Sequence, residues 1–244
     1  MIGTLISAIG LSIVTQRRAW PDLSVIGNYP NKFGNQCTME GLTKDGNIPP
    51  FDKARSNSLK NRFKLPASFT PISLTGIAAL PSKDDAAISA RAVSVVGYVQ
   101  DLFPAASKGE SCNCYATKKA LLDAHLDVVL IPDQQDSGKG KVVMEVTERS
   151  RRLALQGLLP SNIGKDWSSA TLRSRLLGRW VRFSGWLFFD PDHATGAWSA
   201  DPRDRDGEKN WRATAWEVHP IMGIEVLSGP PPEIRRMMRN RRIR

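Results

Sequence analysis

Three histidines are all the imidazole in this chain of 244 residues, and each has a carboxylate within three positions of it. His125 precedes Asp127 by two residues, His219 follows Glu217 by two, and His193 stands in a DPDH turn with Asp190 and Asp192. In extended backbone, residues two apart project from one face, so each i,i+2 pair holds an imidazole beside a carboxylate. Glu145, in KVVMEVT, alternates away from the apolar face of its own segment. Imidazole with carboxylate is a donor set for zinc, manganese or iron, and water on such an ion attacks phosphodiesters and esters. The candidate metal ligands are therefore His125, Asp127, His193 and His219, with Glu145 and Glu217 as candidate catalytic carboxylates. On this reading the cofactor is a divalent metal such as zinc. No H-E-x-x-H spacing fixes the site, and a histidine before a proline, as in HP, also serves to close a strand.

Aromatic residues set among basic ones point to a second chemistry. Tyr98, Arg182, Trp186 and Phe188 lie opposite the strict apolar alternation of their segments, while Lys118, Lys119, Trp198, Trp211 and Arg212 occupy two long connections. Exposed aromatics stack on unpaired bases and cationic side chains neutralise phosphates, which makes binding weaken with salt. Tyr98, Trp186 and Trp211 are then the stacking residues, and Lys118, Lys119, Arg182 and Arg212 the phosphate contacts. The acidic residues within 201–208 leave the second connection nearly neutral, which opposes a basic groove.

The elements that must position these residues are legible as period-two runs. RAVSVVGYVQDLF sets Val93, Val95, Gly97 and Val99 against Ser94, Val96, Tyr98 and Gln100. AHLDVVLI and KVVMEVT alternate in the same way, WVRFSGWLFF is a fourth run, and 213–227 holds a final strand or strand pair. Residues 148–159 and 168–177 read as helices. Three strands, a helical segment and two more strands is the layout of a mostly β, five-stranded OB-like Greek-key barrel over 90–228. The long connections, 104–123 and 191–211, fall where that fold carries its two ligand-binding loops. Residues 1–89 read as an apolar segment and a loop-rich extension with one helix over 51–63, and 229–244 as a Pro/Arg-rich basic tail.

The formal charge of +10 suggests nucleic acid or another polyanion as partner. Its distribution qualifies that: the last twelve residues carry six arginines and one glutamate, so the tail supplies +5 and the other 232 residues the remaining +5. The tail suits an anionic surface, or is simply solvated, and the arginine cluster at 149, 151 and 152 reads as a solvated helix face. Cys37, Cys112 and Cys114 are too few for a disulfide scaffold; in an oxidising compartment Cys37 can bridge to either of the others. MIGTLISAIGLSIV is short for a membrane span, and its arginines follow the apolar run rather than precede it, so cytoplasmic and exported locations both stay open. Without a Walker or G-x-G-x-x-G pattern there is no case for a nucleotide cofactor.

The words ESCNC, AHLDVVL, VVMEVTER, GWLFFDPDH and NWRATAWEVHPI, together with LKNRF and GNYPNKFGNQC, resemble those of a group of bacterial proteins, many with the look of exported proteins, in which they occur in the same order. The resemblance spans about residues 27–227 and implies one continuous OB-like unit and export; it implies no activity. The first functional expectation is a non-catalytic module for single-stranded or irregular nucleic acid, which needs no cofactor. The alternatives are the metal-dependent hydrolase and an envelope or assembly protein that binds another protein through the barrel.

Overall fold

The structure, a computed structural model, describes residues 37–104, 109–132, 140–199 and 210–241. The apolar N-terminal segment and the whole 201–208 acidic stretch lie outside the described residues. In chain order the elements are α1 (Phe51–Lys60), β1 (Thr70–Pro71), α2 (Leu74–Ala78), α3 (Ala86–Ser89), β2 (Ala92–Pro104), β3 (Ala124–Val129), β4 (Lys141–Val146), α4 (Glu148–Leu155), α5 (Ser169–Leu176), β5 (Trp180–Phe189), β6 (Trp216–Val226) and α6 (Pro232–Arg241). None of these helices is long and apolar enough to cross a membrane.

The alternating runs close into a five-stranded barrel of mixed direction, in the order β2, β3, β4, β6, β5 and back to β2. All neighbours are antiparallel except β4 and β6, which run parallel with Met144 opposite Val218. This closure, with α4 and α5 between β4 and β5, is the expected OB-like barrel. A sixth strand, β1, pairs in parallel with the start of β2 from outside. The final segment is one strand rather than a pair: β6 continues through Pro220, accommodated by register shifts opposite Gly185.

Alternation decides which side chains fill the barrel. Val93, Val95, Leu126, Val128, Met144 and Val218 face inward and are buried. Leu74 and Ile77 of α2 join them, so the N-terminal extension contributes to the core. Gly97 is needed for that fit: a Cβ there would lie 2.4 Å from a Val128 methyl and 2.8 Å from Leu74 Cδ1.

The arginines at 149 and 151 correct the expectation of a solvated helix face. Arg149 donates to Asn61 and to the carbonyls of Cys37 and Thr38, and Arg151 to the carbonyls of Ala120, Leu122 and Trp167. The extension and the 110–123 connection lie over α4 and bury its charged side, which the helix's own sequence does not show. The basic tail forms α6, with Ile234 buried and Arg235, Arg236 and Arg239 exposed.

Candidate metal centre

The residues that alternate away from the core gather on the outer face of β3, β4 and β6. His125 stands opposite Glu145 across the antiparallel pair, and the parallel contact of β4 with β6 brings Glu145 beside Glu217 and His219. The 110–123 connection, the 190–199 turn and residues 210–212 wall this face into a cavity of about 160 Å³, lined by Glu110, Asn113, Asp123, His125, Glu145, His193, Trp211, Arg212 and Glu217 as well as Leu122. Outer strand face and two long connections together form the surface on which OB folds hold ligands.

Glu145 is the pivot. One of its oxygens lies 3.4 Å from His125 Nδ1 and the other 3.2 Å from His219 Nδ1. Burial alone would raise its pKa, but the two imidazoles outweigh it and hold Glu145 at about 2. The same partners act in reverse on the imidazoles: burial disfavours His125 as a cation, while hydrogen bonds to Asp127 and Glu145 lift it to about 10. His219 is also raised against its burial, by the Glu145 charge and the hydrogen bond to Glu217. Asp123 moves the other way from Glu145, up to about 6, because burial dominates there.

Asp123, Glu145 and His219 each offer a ligating atom, and these atoms lie within 4.8 Å of one another. His219 is fully buried, and its Nε2 has no hydrogen-bond partner; it sits 3.8 Å from Asp123 Oδ2, too far for a hydrogen bond. Two donor atoms each about 2 Å from one ion are separated by up to about 4 Å, so a single cation fits that gap. Glu217, which accepts from Arg212 at 2.6 Å and lies 3.3 Å from His219 Nδ1, fixes the imidazole from behind, and Arg212 also donates to Asp190. An outer partner of this kind sets the tautomer and ring orientation of a metal-binding histidine. Two further buried polar atoms without a partner, Asn113 Oδ1 and Arg212 Nε, belong to residues that line the same cavity.

The structure separates the expected metal ligands. His219 belongs to the cluster. His125 reaches it only through Glu145, because its Nε2 is turned to Asp127, which in turn meets Lys141 at 3.2 Å. Asp127 therefore braces His125 and lies outside the cluster. His193 lines the cavity but pairs with Asp190 at 2.6 Å, which lifts its pKa. The candidate ligand absent from the expectation is Asp123. It closes the irregular 110–123 connection, where no periodicity gives its direction; only its place one residue before a strand start hints at a role.

The expected nucleic-acid contacts are dispersed. Tyr98 sits edge-on to Trp180 at 5.6 Å, opposite it in register, whereas Trp186 pairs with Ala92, six residues along the same ladder and about 20 Å away. Trp186 lies under the Arg62 guanidinium, 5.0 Å from its ring centre, and its indole donates to the Lys64 carbonyl. Arg182 is exposed and ion-paired with Glu225. Arg212 is buried between Glu217 and Asp190, so the expectation that it contacts phosphate from the surface is corrected: two carboxylates draw its guanidinium inward. Lys118 and Lys119 are exposed in the first long connection, and Trp211 is half-buried at the cavity, 5.7 Å from the His125 ring and 5.9 Å from that of His193.

Site and fold together define a closed OB-like barrel with an acidic, histidine-bearing cavity on the outer face of β3, β4 and β6. Comparison with known proteins finds no matching family model, no matching curated protein and no matching solved structure.

Proposed function

We propose that the protein is a metal-dependent hydrolase of phosphodiester or ester bonds, with Asp123, Glu145 and His219 holding one divalent cation. The observation that carries this reading is the unpartnered, fully buried Nε2 of His219 facing the Asp123 carboxylate across a gap that fits an ion. Charge supports it: Glu110, Asp123, Glu145 and Glu217 line the cavity, and Arg212, the one lysine or arginine among its described lining residues, is held by Glu217 and Asp190. Burial raises the pKa of both Asp123 and Glu217 despite the imidazoles nearby, so an entering cation would take the place of protons on these two carboxylates. Three protein ligands leave a coordination position open, and the ion, when bound, lowers the pKa of a water there to supply a nucleophile. Glu217 and Arg212 orient His219, while His125, braced by Asp127, holds Glu145. The cavity has room for the reacting group, and Trp211 walls it.

Metal analysis with hydrolysis of bis(p-nitrophenyl) phosphate and p-nitrophenyl acetate tests the reading. Wild type is expected to carry about one zinc or manganese ion per chain and to lose hydrolysis on chelation. D123N and H219A lose the metal, whereas H193A keeps it. Arg212→Gln retains the ligands but weakens metal affinity about 10- to 100-fold, as loss of an outer partner does. Wild-type protein that stays metal-free after incubation with each ion rules the reading out.

The nucleic-acid module is the second reading, favoured by the strand order and by the two connections that border the cavity. Titration with labelled single strands at two salt concentrations, with and without residues 230–244, separates barrel from tail and the module from the hydrolase.

A further inference from the structure

A second cavity, of about 300 Å³, lies on a different part of the surface, between α4, the turn that leads into α5 and the 119–120 segment. Its walls are mostly carbon, from Trp167, Leu155 and the stems of long side chains, and Leu155 is 67% exposed although it is a leucine. Its charges do not balance. Lys119, Arg151, Arg152 and Lys165 line it against Glu148 and Asp166, four cations to two anions, and Arg152 already pairs with Glu148 at 2.8 Å.

Two further features add positive character. The eight-residue helix α5 begins here, capped by Ser168, so the positive end of its dipole meets the cavity, offset in part by the Asp166 carboxylate, which accepts from Ser168 N–H and from the Ser168 and Thr171 hydroxyls. Arg151 is only 9% exposed; its Nε and Nη1 donate to the carbonyls of Trp167, Ala120 and Leu122, and its Nη2 is buried without a hydrogen-bond partner. The Glu148 carboxylate stands 4.0 Å from Nη1, beyond a hydrogen bond. Glu148 and Asp123 act on this guanidinium through space only, so its charge is offset while one buried donor stays unused, which is costly.

We infer that this cavity is a binding site for a small amphipathic anion, its acidic head group held by Arg151, Lys165, Lys119 and the start of α5 and its apolar body against Trp167 and Leu155. Apolar walls with a few convergent polar groups are the ordinary make-up of a small-molecule site. The head group supplies the acceptor that Arg151 Nη2 lacks, and the body covers Leu155. Binding here does not require an ion in the other cavity, although Arg151 also holds the carbonyls of Ala120 and Leu122 that flank the approach to Asp123.

Isothermal titration with 1-naphthalenesulfonate, a probe with no hydrolysable bond, tests it against neutral 1-naphthalenemethanol and inorganic sulfate. The sulfonate is expected to bind at one site, with both controls at least about tenfold weaker, a difference of about 1.4 kcal/mol. Lys165→Glu and Lys119→Glu, changes at exposed positions, each weaken the sulfonate about tenfold and leave metal content unchanged, while H219A leaves sulfonate binding intact. Three results overturn the inference: no saturable binding, equal binding of sulfonate and alcohol, or binding lost in H219A but kept in the lysine variants, which would place the anion in the other cavity.

Discussion

Two carboxylates share the cavity of the candidate metal centre and are pushed in opposite directions, Glu145 down to about 2 and Asp123 up to about 6. Glu145 has an imidazole on each oxygen, whereas Asp123 has burial without a close hydrogen-bonded cation, and such divergence commonly accompanies a division of roles between paired acids. His193 gives the test of this logic that is free of the metal. Its hydrogen bond to Asp190 raises its pKa above the usual 6.5, and Asp190 is in turn held well below the ordinary carboxylate range despite its burial, first through His193. The sign follows: a raised imidazole stabilises the fold fully below about pH 6.5 and loses that contribution as pH rises through its folded value. Because the His193 side chain is about half exposed, the stability effect is small and the titration itself is the better readout. In an NMR titration the His193 ring protons should shift above pH 6.5 in wild type and at or below it in Asp190→Asn. An unchanged midpoint in the variant would remove Asp190 as the cause.

At the scale of elements, α1 is the piece that completes the site, through three successive side chains at its C-terminal end. Lys60 reaches Glu110 at 3.0 Å and lies over the Phe188 ring, Asn61 donates to the carbonyls of Met39 and Cys112 and accepts from Arg149, and Arg62 donates to the carbonyls of Ser89, Leu187 and His219. Asn61→Ala removes two donated bonds and the oxygen that receives a buried guanidinium, so a loss of about 3 kcal/mol is expected in urea unfolding. Metal affinity should fall with it, because Cys112 and Asn113 lose their anchor. Wild-type stability in that variant would show that the extension is not fixed through Asn61. The helix itself was readable from FDKARSNSLKNRF, but not that Lys60 would be held by Glu110 and Arg62 by backbone carbonyls. Sequence periodicity reports which residues share a side and is silent about what covers that side. The same blindness made Arg149 and Arg151 look solvated. It hid Asp123 too, whose direction is set by Arg151 holding the carbonyls of Ala120 and Leu122 rather than by any repeat.

For the whole molecule, the closed sheet was legible because β2, β3 and β4 alternate and their inward set is aliphatic apart from Met144. The i,i+2 pairs were legible for the same reason, and their meeting followed from a parallel contact between β4 and β6 that no local pattern announces. What the sequence left open was the seam between extension and barrel, including which cysteines join. Cys37 is bonded to Cys114, across 77 residues, and Cys112 remains a buried thiol near Glu110 and Asp123. The bond ties the start of the described chain to the connection that carries Asn113 and Asp123, so it acts on fold and site at once. A cross-link closing a loop of this size restricts the unfolded chain by about 4 kcal/mol. The double variant Cys37→Ala, Cys114→Ala is therefore expected to unfold at lower urea, with a loss of about 3–4 kcal/mol. If the seam matters to the site, zinc affinity falls in the same variant while the far-UV spectrum of the barrel is kept, since β2 to β6 close without the bond. Full zinc affinity in a destabilised variant would confine the disulfide to stability, and undiminished stability would show that the hydrogen bonds of Asn61 and Arg149 hold the extension without it.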